Sequence, residues 1–209
     1  MPDQIIGAPP ARGADRSMVL HCDRLQDLVQ AGLEERAELA IWRRIAPPMV
    51  LEAFGALELA EFEDVRLTGA GEQVFQTAAA HLRALGWPIA ATGAILADLG
   101  AALQCLGSIE AACTFRLEHV TDDACRKFHK DETGFRLITT YLGRGTQWCD
   151  RAVGKSSDGI RELPAFAMAM LLGQRCHLDN RILHRSPPIE ATGEARLVMV
   201  LDIERPDVC

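Results

Sequence analysis

The chain has 209 residues, 48% of them hydrophobic and 24% charged, the make-up of a globular protein with a core of its own. Lys and Arg number 22 against 29 Asp and Glu, a net charge of −7, so the basic footprint that nucleic acid requires is lacking. No apolar run approaches the roughly 20 residues of a membrane-crossing helix, the first residues carry no secretory apolar stretch, and seven cysteines form no C-x-x-C pair. The expectation is one reduced, cytoplasmic domain that binds neither nucleic acid nor membrane.

Residues 1–17, with three Pro and two Gly, read as a mobile leader. Residues 18–20 suit a short strand, and residues 23–31 a helix, with apolar positions at 25, 28 and 29. Residues 38–42 read as a strand. Pro47-Pro48 then opens a helix expected to run to about residue 60, because proline fits the first helical turn. Helical spacing returns over 72–85 and 90–106, on either side of Gly86-Trp87-Pro88. The region 18–110 is therefore expected to be mainly helical.

From residue 111 the character changes. Residues 114–120 alternate, with Phe115, Leu117 and His119 on one face. Asp122-Asp123 suits a short helical turn carrying Cys125. The His129-x-Asp131 segment, residues 135–142, residues 165–172, residues 181–184 and residues 196–203 all read as strands, with a glycine turn at Gly143-Arg144-Gly145. Gly143-x-Gly145 precedes no helix and lacks the G-K-[ST] ending, so it is a turn and not a phosphate loop. The expected fold is α+β: a mainly helical N-terminal half packed on an antiparallel β half, residues 111–209.

The chemistry centres on His129 and Asp131. Residues two apart on a strand point the same way, so an imidazole and a carboxylate converge on one face. They supply two of the three ligands of a two-His-one-carboxylate metal site, and His184 is the candidate for the third. A lone His-x-Asp is a common pattern in surface strands; here His184 follows 55 residues on, and Arg196 a further 12. Cys125 and the Cys176-His177 pair are further possible soft-metal ligands.

This ordered set resembles the iron(II)- and 2-oxoglutarate-dependent dioxygenases, whose fold is a double-stranded β-helix, or jelly roll. Arg136, Tyr141, Leu142 and the Gly145-Thr-Gln-Trp148 turn are similar to the prolyl-hydroxylase-like branch, as are Pro188, Ile189, Gly193 and Arg196. The likeness covers about residues 114–203. The whole chain also resembles a bacterial cytoplasmic family of unknown function. That family shares C-x-x-F-H-x-D, T-Y-x-G-x-G-T-x-W, H-R-S-P-P and R-L-x-x-V-L-D, present here as Cys125–Asp131, Thr140–Trp148, His184–Pro188 and Arg196–Asp202. Its genes lie near zinc-responsive metal-handling GTPases, a hint of metal homeostasis.

The dioxygenase resemblance implies a C-terminal jelly-roll or cupin-like core with iron(II) on His129, Asp131 and His184. It implies 2-oxoglutarate chelating the metal, with its far carboxylate on Arg196, where a guanidinium offers a rigid, charged, bidentate match. Tyr141 or Thr139 would hydrogen-bond the co-substrate. The activity implied is oxygenation of a substrate that the sequence does not name. Two alternatives stand beside it. One is a zinc-type metal binder using the same three residues, and the other a jelly-roll interaction domain without metal.

Overall fold

The computed structural model describes residues 17–107, 112–153, 157–176 and 179–204; the expected leader apart from Ser17, and His177, lie outside them. Along the chain run β1 (Ser17–Cys22), α1 (Leu25–Leu33), β2 (Ala37–Trp42), α2 (Pro48–Gly55), β3 (Val65–Gly69), α3 (Gly71–Ala84) and α4 (Ile89–Leu106). Then follow β4 (Cys113–Val120), β5 (Phe135–Leu142), β6 (Gln147–Asp150), β7 (Arg161–Glu162), β8 (Met168–Leu172), β9 (Ile182–Arg185) and β10 (Arg196–Ile203).

The helices form where an apolar stripe can be buried. Leu25, Leu28 and Val29 are the inner face of α1, and Val74, Ala78 and Leu82 that of α3. The α2 helix starts on Pro48 as expected but stops at Gly55, short of residue 60. Only Ala53 and Phe54 of α2 are buried, and Ala56, Glu58 and Ala60 beyond it are exposed, so no stripe remains to hold another turn. Against the expectation that no apolar run reaches membrane-crossing length, α4 is apolar enough, by length and composition, to cross a membrane. In this fold it is the helix on which α1, α2 and α3 all pack. Its one charged side chain, Asp98, is buried and doubly bonded to Arg44.

Seven strands form one sheet in the order β1-β2-β8-β5-β10-β4-β3, antiparallel except for β1 beside β2. A smaller antiparallel sheet, β7-β6-β9, lies apart. The large sheet has two buried faces. On β5, Phe135, Leu137 and Tyr141 join the core shared with the helices. Ile138 points the other way, into a second core with Trp148 and Ile182 of the small sheet and Val198 and Val200 of β10. The layers are thus helices, large sheet and small sheet, and each fully buried Leu, Ile or Phe contributes roughly 1.5–3 kcal/mol.

The fold is α+β with a large sheet, and the four α-helices among the described residues all lie before residue 110. That region supplies β1, β2 and β3 as well. β1 and β2 extend the large sheet beyond β8, and β3 extends it beyond β4, so one sheet runs across the boundary at residue 110. The strands at Val65–Gly69, Gln147–Asp150 and Arg161–Glu162 are short and were not expected; their hydrogen bonds come from partners distant in sequence.

Candidate metal centre

The segment holding His129 and Asp131 is not a strand. It touches β9 through a single bridge between His129 and His184. The two residues exchange both backbone hydrogen bonds, each 3.0 Å long, so they sit directly opposite one another. Around this bridge the segment is tied down at several points. Ser186 N–H donates to the Cys125 carbonyl (3.0 Å) and Gln174 N–H to the Asp131 carbonyl (2.9 Å). Asp123 opens the turn that carries Cys125, its carbonyl accepting from Arg126 N–H (3.1 Å), and its carboxylate accepts from the N–H groups of Ile189 (2.7 Å) and Glu190 (3.1 Å). Those amides hold its carboxyl below the usual range.

The bridge brings together the three side chains singled out in the sequence. One donor atom from each of His129, Asp131 and His184 lies within 4.8 Å of the others. His184 Nε2 is 3.0 Å from Asp131 Oδ2, and His129 Nε2 is 3.7 Å from Asp131 Oδ1. The 3.0 Å approach lacks hydrogen-bond alignment, and both His184 Nε2 and Asp131 Oδ2 are buried without a hydrogen-bond partner. Two unsatisfied polar atoms aimed at one point are costly unless something fills it. A divalent ion held at about 2.0–2.2 Å by each donor would separate neighbouring donors by about 3 Å. The residues present fit a metal.

The electrostatics agree. Burial dominates at His184 and lowers its pKa, keeping the imidazole neutral as a ligand must be. Burial alone would raise the Asp131 pKa, but His129, His184 and the Arg136 guanidinium outweigh it and hold the carboxylate ionised. His129, shifted upward mainly by its contact with Asp131, donates through Nδ1 to the Lys127 carbonyl, 2.8 Å away. Because a carbonyl only accepts, Nδ1 carries the proton and Nε2 is left facing the site.

Arg196 sits at the start of β10, 1% exposed. Its Nε donates to the Arg144 carbonyl (2.6 Å) and Nη1 to Ser186 Oγ (2.7 Å). Nη2 donates to Thr140 Oγ1 (3.3 Å) and Thr146 Oγ1 (3.2 Å). All of these acceptors are neutral, and no carboxylate among the described residues pairs with it. Burial pulls its pKa down to about 10. A buried cation with no counter-ion invites an anion. Ser186 lies two residues past His184, just beyond the end of β9.

Thr139 and Tyr141 are not part of this site, contrary to expectation. They have the parity of Leu137 on β5 and face the helices. The Tyr141 hydroxyl donates to Asp98 (2.7 Å), and its ring stacks on Phe54 at 4.8 Å. The residue on the site face is Thr140. The helix-facing parity of Phe135, Leu137 and Tyr141 was the signal that could have separated the two threonines. Arg136, which the sequence offered only as a motif position, lies against the triad, and Asp202, likewise a motif position, lies behind it. Arg136 donates to Asp131 Oδ1, and to Asp202 through Nε (2.6 Å) and Nη2 (3.0 Å).

The cysteines do not extend the site. Cys125 is an exposed free thiol outside the triad cluster, and Cys176 is in a disulfide, which departs from a fully reduced chain. A cavity of about 440 Å³ lies elsewhere, between α3, α4 and the ends of β4 and β10. It contains none of the triad, so chemistry and not concavity locates the site.

Residues 23–202 match the family described as "Protein of unknown function (DUF1826)". The chain belongs to that family. No curated protein matches this DUF1826 chain. Among solved structures it is similar to a dioxygenase for auxin oxidation from rice, with a TM-score of 0.50 and 13% identity over 92% of this chain and 84% of that one. At that identity the likeness is one of fold. Two weaker likenesses are also found. One is a dioxygenase for auxin oxidation from Arabidopsis thaliana in complex with 2-oxoglutarate (TM-score 0.47, 14% identity, 91% and 93% covered). The other is a Pseudomonas putida prolyl-4-hydroxylase (TM-score 0.42, 15% identity, 87% and 99% covered).

Proposed function

We propose that this DUF1826 chain is an iron(II)- and 2-oxoglutarate-dependent oxygenase built on a jelly roll. The observation that carries the reading is the pair of buried, unpartnered atoms, His184 Nε2 and Asp131 Oδ2, converging beside His129. The path of the chain supports the scaffold. From β4 onward it passes to the His129 segment on the small sheet, to β5 on the large sheet, to β6 and β7 on the small, and then to β8, β9 and β10 alternately. That alternation between facing sheets is how a jelly roll is wound.

Iron(II) with 2-oxoglutarate and oxygen supplies the power to oxidise an unactivated C–H bond. The chain's own residues do the holding. His129, His184 and Asp131 would hold the metal and supply three of its ligands. Arg196, with the hydroxyls of Ser186, Thr140 and Thr146, would hold the far carboxylate of 2-oxoglutarate, which would neutralise it. Burial of His184 and Arg196 would keep water from the co-substrate.

The test is an anaerobic titration of the metal-free protein with iron(II) and then 2-oxoglutarate, following the weak visible charge-transfer band of the chelate. The expected result is a band in the wild type, none in Asp131→Ala, and none in Arg196→Ala, which nevertheless still binds iron. Iron binding that survives Asp131→Ala would defeat the metal assignment. A metal site that never yields the band, with zinc retained through purification, would defeat the co-substrate assignment.

A further inference from the structure

Asp131 has two oxygens, and the structure gives them different neighbours. Oδ2 is buried, unpartnered and aimed at His184. Oδ1 receives a hydrogen bond from Arg136 Nη1. Arg136 is directly opposite Asp202 in the pairing of β5 with β10 and spends its other two donors, Nε and Nη2, on that carboxylate. Asp202 is in turn held by Arg116 Nη2 at 3.2 Å, and Arg116 Nη1 is fixed to Glu118 at 2.7 Å, both on β4. The array thus runs from the loop of the metal ligand across three adjacent strands.

We propose that Arg136 is the positioning residue of the metal centre. It occupies one oxygen of Asp131, leaving a single oxygen for the metal, and it is itself held rigid by Asp202 and Arg116. This inference rests on the metal-site reading of His129, Asp131 and His184. A plain cross-strand ion pair between Arg136 and Asp202 would be complete without Asp131. The third donor reaches out of the sheet into the loop, and its effect falls on the ligand. The fork of a guanidinium is needed for this, because its donors point in fixed directions and address two carboxylates at once; an ammonium of similar length serves only as a point charge. The charges also add in the right sense. Asp131, Asp202 and Glu118 carry three negative charges against two positive ones on Arg136 and Arg116. The array therefore stays net negative toward the metal even though a cation touches the ligand.

The experiment uses cobalt(II), whose visible d–d spectrum reports coordination without turnover. Metal-free wild type, Arg136→Gln, Arg136→Lys and Asp131→Ala are each titrated anaerobically, with far-UV circular dichroism checked on the same samples. The expected result is a roughly ten- to hundred-fold weaker Kd in Arg136→Gln, the range for loss of a group that orients a ligand. Its d–d band should also shift as Asp131 turns to offer both oxygens. Arg136→Lys, which keeps the charge and so protects folding, should fall between wild type and Arg136→Gln in affinity while showing the shifted band. A folded Arg136→Gln with wild-type affinity and an unchanged band overturns the proposal; if Arg136→Gln does not fold, the same result in Arg136→Lys does so. Asp131→Ala separates the two readings. Binding that is lost there but unaffected by Arg136 removes only the role of Arg136, whereas binding that survives in Asp131→Ala removes the metal site and this inference with it.

Discussion

At the scale of single residues, Tyr141 shows how a neighbouring position can mislead. It is the only tyrosine in the chain and stands one residue from Thr140, which touches Arg196. Its hydroxyl nonetheless serves the helix side, bonding the Asp98 carboxylate that Arg44 also holds. Burial above all, and then the charge of Asp98, raise the phenol well above its usual 10.0. The folded state therefore keeps a proton that the unfolded chain releases near pH 10. This contribution to stability is whole below that pH and is lost as the pH rises beyond it. Tyrosinate absorbance in the native protein should appear only well above pH 10, and near pH 10 in denaturant. Tyr141→Phe should cost about 1.5 kcal/mol of stability at neutral pH and show a flatter decline in Tm above pH 10. It should leave metal affinity unchanged. A fall in metal affinity would return Tyr141 to the site.

At the scale of elements, the helices and the long strands were legible because each carries its own period. The residues of β10 and β5 alternate between two cores, and α1, α3 and α4 repeat their apolar positions at helical spacing. The short strands were not legible, since β6 and β7 owe their existence to partners elsewhere in the chain. Nor was the bulge where β5 meets β10, at which Leu197 pairs with Leu142 and Val198 with Thr140. That extra residue lets Tyr141 and Leu142 both lie on the helix side. The turn between β5 and β6 has a steric reason for its glycine. A Cβ on Gly145 would stand 1.7 Å from the Leu163 carbonyl oxygen, while Leu163 N–H bonds the Thr146 carbonyl at 3.0 Å. Gly145→Ala should thus cost about 1–3 kcal/mol and loosen Thr146, a partner of Arg196. Gly55→Ala in α2, whose Cβ would meet nothing within 4 Å, should instead gain about 0.4–1 kcal/mol. Thermal melts of the two variants check the contrast.

At the scale of the whole molecule, the three candidate ligands could be picked out by type and order, but not the means of their meeting. The sequence suggested a strand for His129 and Asp131. The molecule uses one bridge to β9, reinforced by Ser186, Gln174 and Asp123 at either side. The layered arrangement explains why the buttressing residues escaped notice. Arg136 and Asp202 are ordinary strand charges until β5 and β10 are set side by side; Arg196 could be singled out as a carboxylate anchor, but not Thr140, Thr146 and Ser186 as the hydroxyls that close around it.

The reciprocal bond between His129 and His184 has a further consequence. Each ligand's backbone is the anchor of the other, so their spacing is set by amide bonds and needs no metal to hold it. Zinc fingers unfold when stripped, since there the ion is the fold. Here a chelator should remove the metal and leave the far-UV circular dichroism spectrum of the folded protein unchanged, with the ion taken up again on addition. Collapse of that spectrum on chelation would show the opposite design. A socket that stands ready when empty would not choose its ion by folding around it; ligand type, geometry and the supply of metal in the cell would make the choice instead.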